Sequence, residues 1–150
     1  MTTAAKLKVF LAGRVALESG GVVLDEDRFP GRQGRLLFAY LVAEQGRPVP
    51  RDELADALWG DAPPATSDKA LSVLASKLRG VLADGGIDGG KALTSAFGSY
   101  RLNLPDGTWV DIVAAADALR EAESALAVDE LDQAKAAATL AASLARPAFL

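Results

Sequence analysis

Apolar residues recur at helical spacing in two neighbouring segments near the middle of the chain. In the first segment, residues 51–60, Leu54 and Leu58 fall on one side of a helix, and Gly60 supplies a backbone on which the helix can end. Pro63-Pro64 follows, and proline cannot continue a helix because it lacks the amide hydrogen. The pattern therefore predicts one short helix closed by a turn.

A second helix is predicted after this turn, from about Ser67 to Arg79. Either Thr66 or Ser67 can cap the free amide groups of its first turn. At 100° per residue, the larger apolar side chains lie on one side, and small, polar or cationic ones lie opposite. The predicted buried face consists of Ala70, Leu71, Leu74, Leu78 and Leu82; the outer face consists of Lys69, Ser72, Val73, Ser76 and Gly80, with Lys77 and Arg79 at its edges.

Alternating patterns flank the two helices. Before them stand three short apolar runs separated by glycines, which predict antiparallel strands: residues 7–11, 15–17 and 22–24. A further helix is predicted from about Gln33 to Glu44. After them, the pattern of residues 92–104 predicts a hairpin with Gly98 at or near its turn. In the helix predicted from about Gln33 to Glu44, the apolar face consists of Leu36, Leu37, Tyr40 and Leu41.

Helix, turn, helix and hairpin, in this order, make a winged helix. We therefore predict an α+β fold, a winged helix-turn-helix with an N-terminal antiparallel sheet and a C-terminal wing hairpin, over residues 1–109. From Val110 onward alanine dominates, and two helices are predicted over residues 111–127 and 130–145. Such a tetratricopeptide-like hairpin, residues 110–150, cannot bury its apolar face alone, so it must dock on the winged helix, pair with another copy or belong to a longer array.

Composition excludes several classes of protein. The chain of 150 residues contains no cysteine and no histidine, which argues against disulfides, a conventional zinc site and catalysis by thiol or imidazole. No apolar run is long enough to span a membrane, so we expect a cytoplasmic protein without a membrane partner. We predict no enzyme activity, no metal and no cofactor.

One segment imitates a phosphate-binding loop. Residues 85–91 satisfy the GxxxxGK spacing, but Ala92 stands where a serine or threonine must hold magnesium, and a helix precedes the segment instead of a strand. We interpret it as a connector between helix and hairpin. Likewise, the carboxylates of residues 25–27 and 52–56 are expected to be solvated loop and helix N-terminal charges.

Charge is uneven along the chain, whose net charge is −4. Residues 1–110 contain 13 basic and 13 acidic residues, whereas residues 111–150 contain 3 and 7. Affinity for nucleic acid must therefore come from local clustering of cations. The candidates for phosphate contacts are Arg51, Lys69, Lys77, Arg79 and Arg101.

Several motifs stand at fixed distances through the same region. The turn from Leu58 to Pro64, Leu-Trp-Gly-Asp-x-Pro-Pro, is followed by Lys77-Leu-Arg79 and by Tyr100-Arg-Leu102. In these motifs the chain resembles, over about residues 7–104, the DNA-binding domain of the Streptomyces antibiotic regulatory protein (SARP) family. The resemblance implies a winged helix of the OmpR/PhoB type, and after Val110 the chain is similar to the start of a bacterial transcriptional activator domain that continues further in the family.

The resemblance also implies a function. Members of the family are sequence-specific transcriptional regulators, so we expect an activator that binds double-stranded DNA at direct repeats, as a homodimer, and recruits RNA polymerase. The loop from Trp59 to Thr66, including Asp61, would then face the polymerase, although Trp59 is more simply interpreted as closing the core. The predicted DNA-binding residues are Arg51, Ser67, Lys69, Ser72, Val73, Ser76, Lys77, Arg79 and Arg101.

The chain departs from the family pattern at three places. Ser95-Ala96 stands where the wing commonly carries an arginine, and Leu74 and Gly80 stand where the second helix often carries a histidine and another arginine. The alternative interpretation is a protein-interaction module whose winged helix does not bind DNA productively. The electrostatic potential of the outer helix face, compared with the remaining surface, distinguishes the two interpretations.

Overall fold

The computed structural model of the chain describes residues 6–127 and 131–145, and it divides into two compact units. The unit of residues 21–106 contains the two central helices and the hairpin. The other unit combines the N-terminal strands with everything from residue 107 onward. The domain boundary expected between residues 109 and 110 stays a prediction.

The unit of residues 21–106 is a mixed α and β structure. Its three longer helices carry leucines at spacings of three and four, which places one side of each helix in a shared core. In chain order its elements are β3 (Val22–Leu24), a 3₁₀ turn (Glu26–Arg28), α1 (Gly31–Ala43), β4 (Val49–Pro50), α2 (Arg51–Trp59), α3 (Ser67–Asp84), α4 (Gly89–Ala92), β5 (Leu93–Ala96) and β6 (Ser99–Leu102).

A three-stranded antiparallel sheet supports the helices, in the order β4, β6, β5. Hairpin β5–β6 is the wing, and its register pairs Leu93 with Leu102 and Ala96 with Ser99. Strand β4 pairs Val49 with Tyr100, so the strand leading into α2 is bonded to the wing. The hairpin with Gly98 in its turn is confirmed, whereas the short β4 was not predicted, because two residues are too few to show an alternating pattern.

Helix α1 differs in its buried face from the prediction. Leu37 and Leu41 are buried as expected, but Leu36 is 39% exposed and Tyr40 is half-buried. Phe38 and Val42 take the core positions instead, because the packed face is rotated by about one residue. Phe38 packs against Phe29 with ring centroids 5.2 Å apart.

Helix α3 begins at Ser67 as predicted but extends five residues beyond Arg79, to Asp84. Burial of Val81 and Leu82 explains the extension, since Gly80 lies on the exposed side and does not interrupt packing. The capping prediction is wrong, because Thr66 occupies the N-cap position without a side-chain hydrogen bond. The buried face consists of Leu71, Ala75, Leu78, Val81 and Leu82, while Ala70 and Leu74 are only half-buried.

The other unit is built on β1 (Lys8–Phe10), which pairs antiparallel with β2 (Ala16–Ser19) and parallel with β7 (Trp109–Val110). Helix α5 (Asp111–Ala127) starts directly after β7. The carboxylate of Asp111, 4% exposed, accepts hydrogen bonds from the backbone amides of Leu11 and Ala12, each 3.0 Å long, and from its own neighbour Ile112. The predicted alanine-rich helices thus dock on β1 through α5.

Helix α6 (Leu131–Ala145) packs along α5. Alanine occupies the buried positions of both helices, and its small side chain lets the two backbones approach closely. The predicted hairpin is confirmed, while the expected start of its second helix at Glu130 and the connection Val128-Asp129 lie outside the described residues. The buried alanines are Ala115, Ala118, Ala122 and Ala125 of α5 and Ala134, Ala137 and Ala141 of α6.

A membrane-spanning helix is not found among the described residues, where no helix combines the necessary length with the necessary hydropathy.

Candidate nucleic-acid interface

One face of α3 is largely exposed. The predicted outer face, Lys69, Ser72, Val73, Ser76 and Gly80, is exposed along its whole length, and we include Lys77, which is exposed at its edge, in the outer face. Its residues are small or cationic, and Val73 leaves 45% of its surface exposed. In the part of the chain that the structure describes, no carboxylate forms a salt bridge with Lys69 or Lys77. The face predicted from the helical periodicity is therefore exposed and carries two lysines.

Tyr100 of the wing joins three elements at the edge of this face. Its hydroxyl group lies 3.3 Å from Ser72 Oγ of α3, and the Arg51 guanidinium carbon lies 5.4 Å from its ring centroid. A cation over an aromatic face is attracted by the ring quadrupole. The Arg51 Nε is buried and has no hydrogen-bond partner among the described residues. The structure therefore brings together two predicted site residues around a tyrosine that the sequence pattern did not single out.

Arg79 holds the wing against α3 from the other side. Its Nε donates a 2.8 Å hydrogen bond to the Leu93 carbonyl oxygen, at the first residue of β5. Helix α4 crosses close to the same turn, since a Cβ added at Gly89 would lie 2.3 Å from the Arg79 carbonyl oxygen. Arg79, predicted to contact DNA, thus has a structural partner within the protein.

Arg101 lies on the opposite side of the wing from Tyr100. Alternate residues of a strand face opposite ways, and Arg101 is exposed opposite Thr94 on the neighbouring strand, while Tyr100 and Leu102 are buried. The remaining predicted residue, Ser67, is half-buried at the first position of α3. Arg51 and the outer face therefore meet at Tyr100. Arg79 is instead bonded to the wing backbone, and Arg101 lies on the other side of the wing.

The tip of the wing presents an aromatic side chain to solvent. Phe97 is fully exposed, with a relative accessibility of 105%, and its φ of 54° lies in the left-handed region. Gly98 follows with a φ of 74°, so the two form a two-residue turn between paired Ala96 and Ser99. In the sequence, Phe97 was interpreted only as part of the hairpin pattern.

The predicted polymerase loop borders a shallow apolar groove beside the outer face. Trp59 is half-buried and, with Pro64 and Thr66, lines one side of the groove, while Ala70 and Val73 of α3 line the other. Asp61 and Thr66 are exposed. Trp59 therefore has partial cover, in agreement with a mainly structural role.

A charged cluster joins α1 to α2 behind the interface. The Glu53 carboxylate accepts hydrogen bonds from the Tyr40 hydroxyl group and from both terminal nitrogens of Arg47, one of them at 2.5 Å. Arg47, followed by Tyr40, lowers the pKa of Glu53, and the bond to Glu53 raises the pKa of Tyr40. The cluster fixes the first turn of α2, in which Glu53 lies near the positive end of the helix dipole.

Two groups of residues imitate functional sites in the sequence: the glycine-rich segment of residues 85–91 and the carboxylates of residues 25–27 and 52–56. The glycine-rich segment leads from α3 into α4, whose N-cap Asp88 accepts a hydrogen bond from the Lys91 amide. It therefore connects helix to helix, without the strand that a phosphate-binding loop requires. Within the described ranges, no three acidic side chains are grouped closely enough to suggest a metal site.

The region from α1 to the wing matches a family of known proteins. Residues 31–102 match the family described as transcriptional regulatory protein, C terminal. This span runs from the start of α1 to the end of the wing. Residues 31–102, slightly less than half of the chain, therefore form a domain of this family. The resemblance noted from the Leu-Trp-Gly and Lys-Leu-Arg motifs is thereby confirmed.

Named relatives support the same assignment. The chain is 39% identical over 74 residues to the transcriptional regulatory protein EmbR of Mycobacterium tuberculosis, which covers 49% of this chain and 19% of that protein. It is 36% identical over 104 residues to the regulatory protein AfsR of Streptomyces coelicolor, covering 69% of this chain and 10% of AfsR. The match is thus confined to a minor part of each relative.

A solved structure extends the likeness beyond the winged helix. The structure of Mycobacterium tuberculosis EmbR in complex with a low-affinity phosphopeptide matches 93% of this chain and 36% of its own, with a TM-score of 0.78 and 28% identity. Both a winged helix and a helical region are therefore shared, and the predicted α+β fold class is confirmed.

Proposed function

We propose that the chain is a sequence-specific DNA-binding transcriptional regulator that places the outer face of α3 in the major groove. The single observation that carries this proposal is the exposed, cationic outer face on a helix whose opposite side is packed in the core. The major groove, about 12 Å wide, admits such a helix without steric obstruction. The match of residues 31–102 to a transcriptional regulator family supports the same conclusion.

The outer face contains residues of two kinds. Lys69 and Lys77 are long cations suited to phosphate oxygens, which fix the position of a protein on the duplex. Ser72, Val73 and Ser76 are short residues between them, suited to base edges and to the thymine methyl group. Arg51, stacked on Tyr100, is held in one place at the edge of this surface. Phosphate contacts and base contacts therefore have separate candidates.

The lysines provide the direct test. Changing Lys69 and Lys77 together to alanine is expected to weaken binding to all duplexes and to reduce the slope of log K against log salt by about one unit for each lost phosphate contact. Changing Val73 or Ser76 to alanine is expected to alter base preference by about 1 to 3 kcal/mol at the contacted pair. Fluorescence anisotropy with a duplex from binding-site selection measures both effects.

The matched control removes a cation elsewhere. Lys8 of β1 is exposed and lies outside the outer face, so Lys8→Ala removes one positive charge without the proposed contact and is compared with Lys69→Ala and Lys77→Ala made singly. Duplexes with one and two copies of the selected site serve in the same titration. If the outer-face variants bind every duplex as well as the Lys8 variant does, the groove assignment is wrong and the assembly-module alternative gains support.

We further infer that two copies bind a direct repeat. The 13 basic and 13 acidic residues of residues 1–110 leave the winged-helix region with no net charge, so one site offers few phosphate contacts. A second copy on the same duplex adds its contacts at high effective concentration. Equal affinity per site on one-site and two-site duplexes contradicts this homodimer. Such a regulator acts in the cytoplasm, where bacterial DNA is transcribed.

The loop of Trp59, Asp61 and Thr66 is proposed to contact RNA polymerase. Asp61 and Thr66 are exposed, and Thr66 lines the apolar groove together with Lys69 and Val73, so a second protein can reach this loop. Asp61→Ala is expected to lower transcription in a purified system at least threefold, a loss of about 0.7 kcal/mol, while anisotropy shows unchanged DNA affinity. A parallel fall in both would place Asp61 in the DNA interface instead. Asp27→Ala, also an exposed carboxylate, is the control.

A further inference from the structure

The tip of the wing combines two features that packing does not explain. Phe97 buries none of its ring, and it occupies a left-handed conformation, which is a steric outlier for a bulky residue. In a two-residue hairpin turn, asparagine, aspartate or glycine is preferred at this position. A residue that is both strained and exposed adds nothing to the stability of the hairpin, so its side chain points to a function.

The tip is held rigidly relative to α3. The Gly98 carbonyl oxygen accepts a 3.1 Å hydrogen bond from the Arg51 amide at the start of α2. The two strands of the wing are tied to α3 through Tyr100 with Ser72 and through Leu93 with Arg79. A position fixed in this way cannot withdraw when α3 approaches a duplex.

The neighbours of Phe97 make the tip narrow. Ser95, Ala96, Gly98 and Ser99 are small and uncharged, and no large side chain lies beside the ring within the wing strands. A narrow tip suits the minor groove, which is only about 6 Å wide. Apolar side chains inserted there, phenylalanine among them, partly unstack a base step and kink the duplex.

We propose that Phe97 is an intercalating wedge that enters the minor groove of the DNA bound by α3 and opens one base step. This role rests on the proposed function. In this role the Phe97 ring makes the minor-groove contact that an arginine side chain would make through its charge. The affinity for DNA then depends on how easily the opened base step deforms. Flexible pyrimidine–purine steps such as TA are therefore the favoured targets.

The decisive variant is Phe97→Asn. Asparagine accepts the left-handed conformation readily, so the turn is preserved while the ring is removed. The probe is a duplex with the selected site and 2-aminopurine at successive positions beside it. Wild-type protein is expected to raise the fluorescence at one step, because the probe becomes unstacked there. The variant is expected to abolish that rise and to bind about tenfold more weakly, as loss of one aromatic–base contact implies.

Controls separate this inference from the proposed function. Val23→Ala removes an exposed apolar side chain of β3, 51% accessible, and is expected to leave fluorescence and affinity unchanged. If Phe97→Asn binds as tightly as wild type and unstacks the same step, the wedge is overturned while the groove assignment stands. If binding-site selection returns no duplex that the wild type binds, the proposed function itself fails.

Thermal unfolding supplies a second measurement. Phe97→Asn is expected to raise Tm by a few degrees, since it relieves an unfavourable turn conformation without loss of packing. A lower Tm would show that the ring stabilises the fold, and this result would overturn the inference that its exposure serves binding.

Discussion

Replacing Gly89 with alanine is expected to destabilise the protein by about 2 to 3 kcal/mol. The added Cβ would lie 2.3 Å from the carbonyl oxygen and 2.8 Å from the carbonyl carbon of Arg79, both of them backbone atoms of α3. Neither helix can yield by a simple side-chain rotation, so α4 must move away from α3. The free energy of unfolding, measured by denaturant titration with circular dichroism, reports the loss.

The adjacent glycine is the matched control. Gly90 lies in the same short helix, and a Cβ added there would meet Asp88 Oδ1 at an ordinary contact distance of 3.5 Å. Gly90→Ala is therefore expected to be neutral or to stabilise the fold by up to about 1 kcal/mol, through reduced freedom of the unfolded chain. Equal effects of the two substitutions would contradict the close approach of α4 to α3.

Removing the Asp111 carboxylate is expected to be equally damaging. In Asp111→Ala, the amides of Leu11, Ala12 and Ile112 lose their side-chain acceptor in a largely buried position. Each unsatisfied buried donor costs about 1 to 3 kcal/mol, so a total loss of about 3 kcal/mol or more is expected. Denaturant titration measures this loss, and hydrogen exchange at the Leu11 and Ala12 amides is expected to accelerate.

Asp117→Ala is the comparison within the same helix. The Asp117 carboxylate is 61% exposed and forms a surface ion pair with Arg120. Such pairs contribute little, so a change below about 0.5 kcal/mol is expected. If Asp111→Ala is as mild as Asp117→Ala, the backbone amides near residue 11 find other acceptors, and the anchoring role of Asp111 is refuted.

Regular periodicity made the helices predictable. Leu54 and Leu58 define α2, and Gly60 ends it with a φ of 59°. For α3, the outer face was correctly predicted because exposed positions need only be polar or small. The buried face was partly wrong because the choice between Leu74 and Ala75 depends on the neighbouring helices, which periodicity within one helix does not contain.

The parts of the site that the sequence analysis did not identify depend on contacts between residues that lie far apart in the sequence. Tyr100 was noticed in the hairpin pattern and in a family motif, but not as a site residue, because its link to Ser72 joins positions 28 residues apart. The exposure of Phe97 follows from the turn geometry, and a bulky residue at a left-handed position is against the sequence preference. The sequence did contain an indication of this exposure, since an aromatic residue stands directly before Gly98 at the centre of the predicted hairpin.

The anchoring of β1 and β7 has a consequence for biosynthesis. Strand β1 pairs with a strand about 100 residues later, and Asp111 bonds to Leu11 over the same interval. Closing a flexible loop of this length costs on the order of 4 kcal/mol in chain entropy. That cost falls if residues 21–106 have already folded, because the intervening chain has then lost its freedom. On the ribosome, β1 must wait unpaired on that side until residue 110 emerges, so the unit of residues 21–106 is expected to be complete while β1 is still without its last partner.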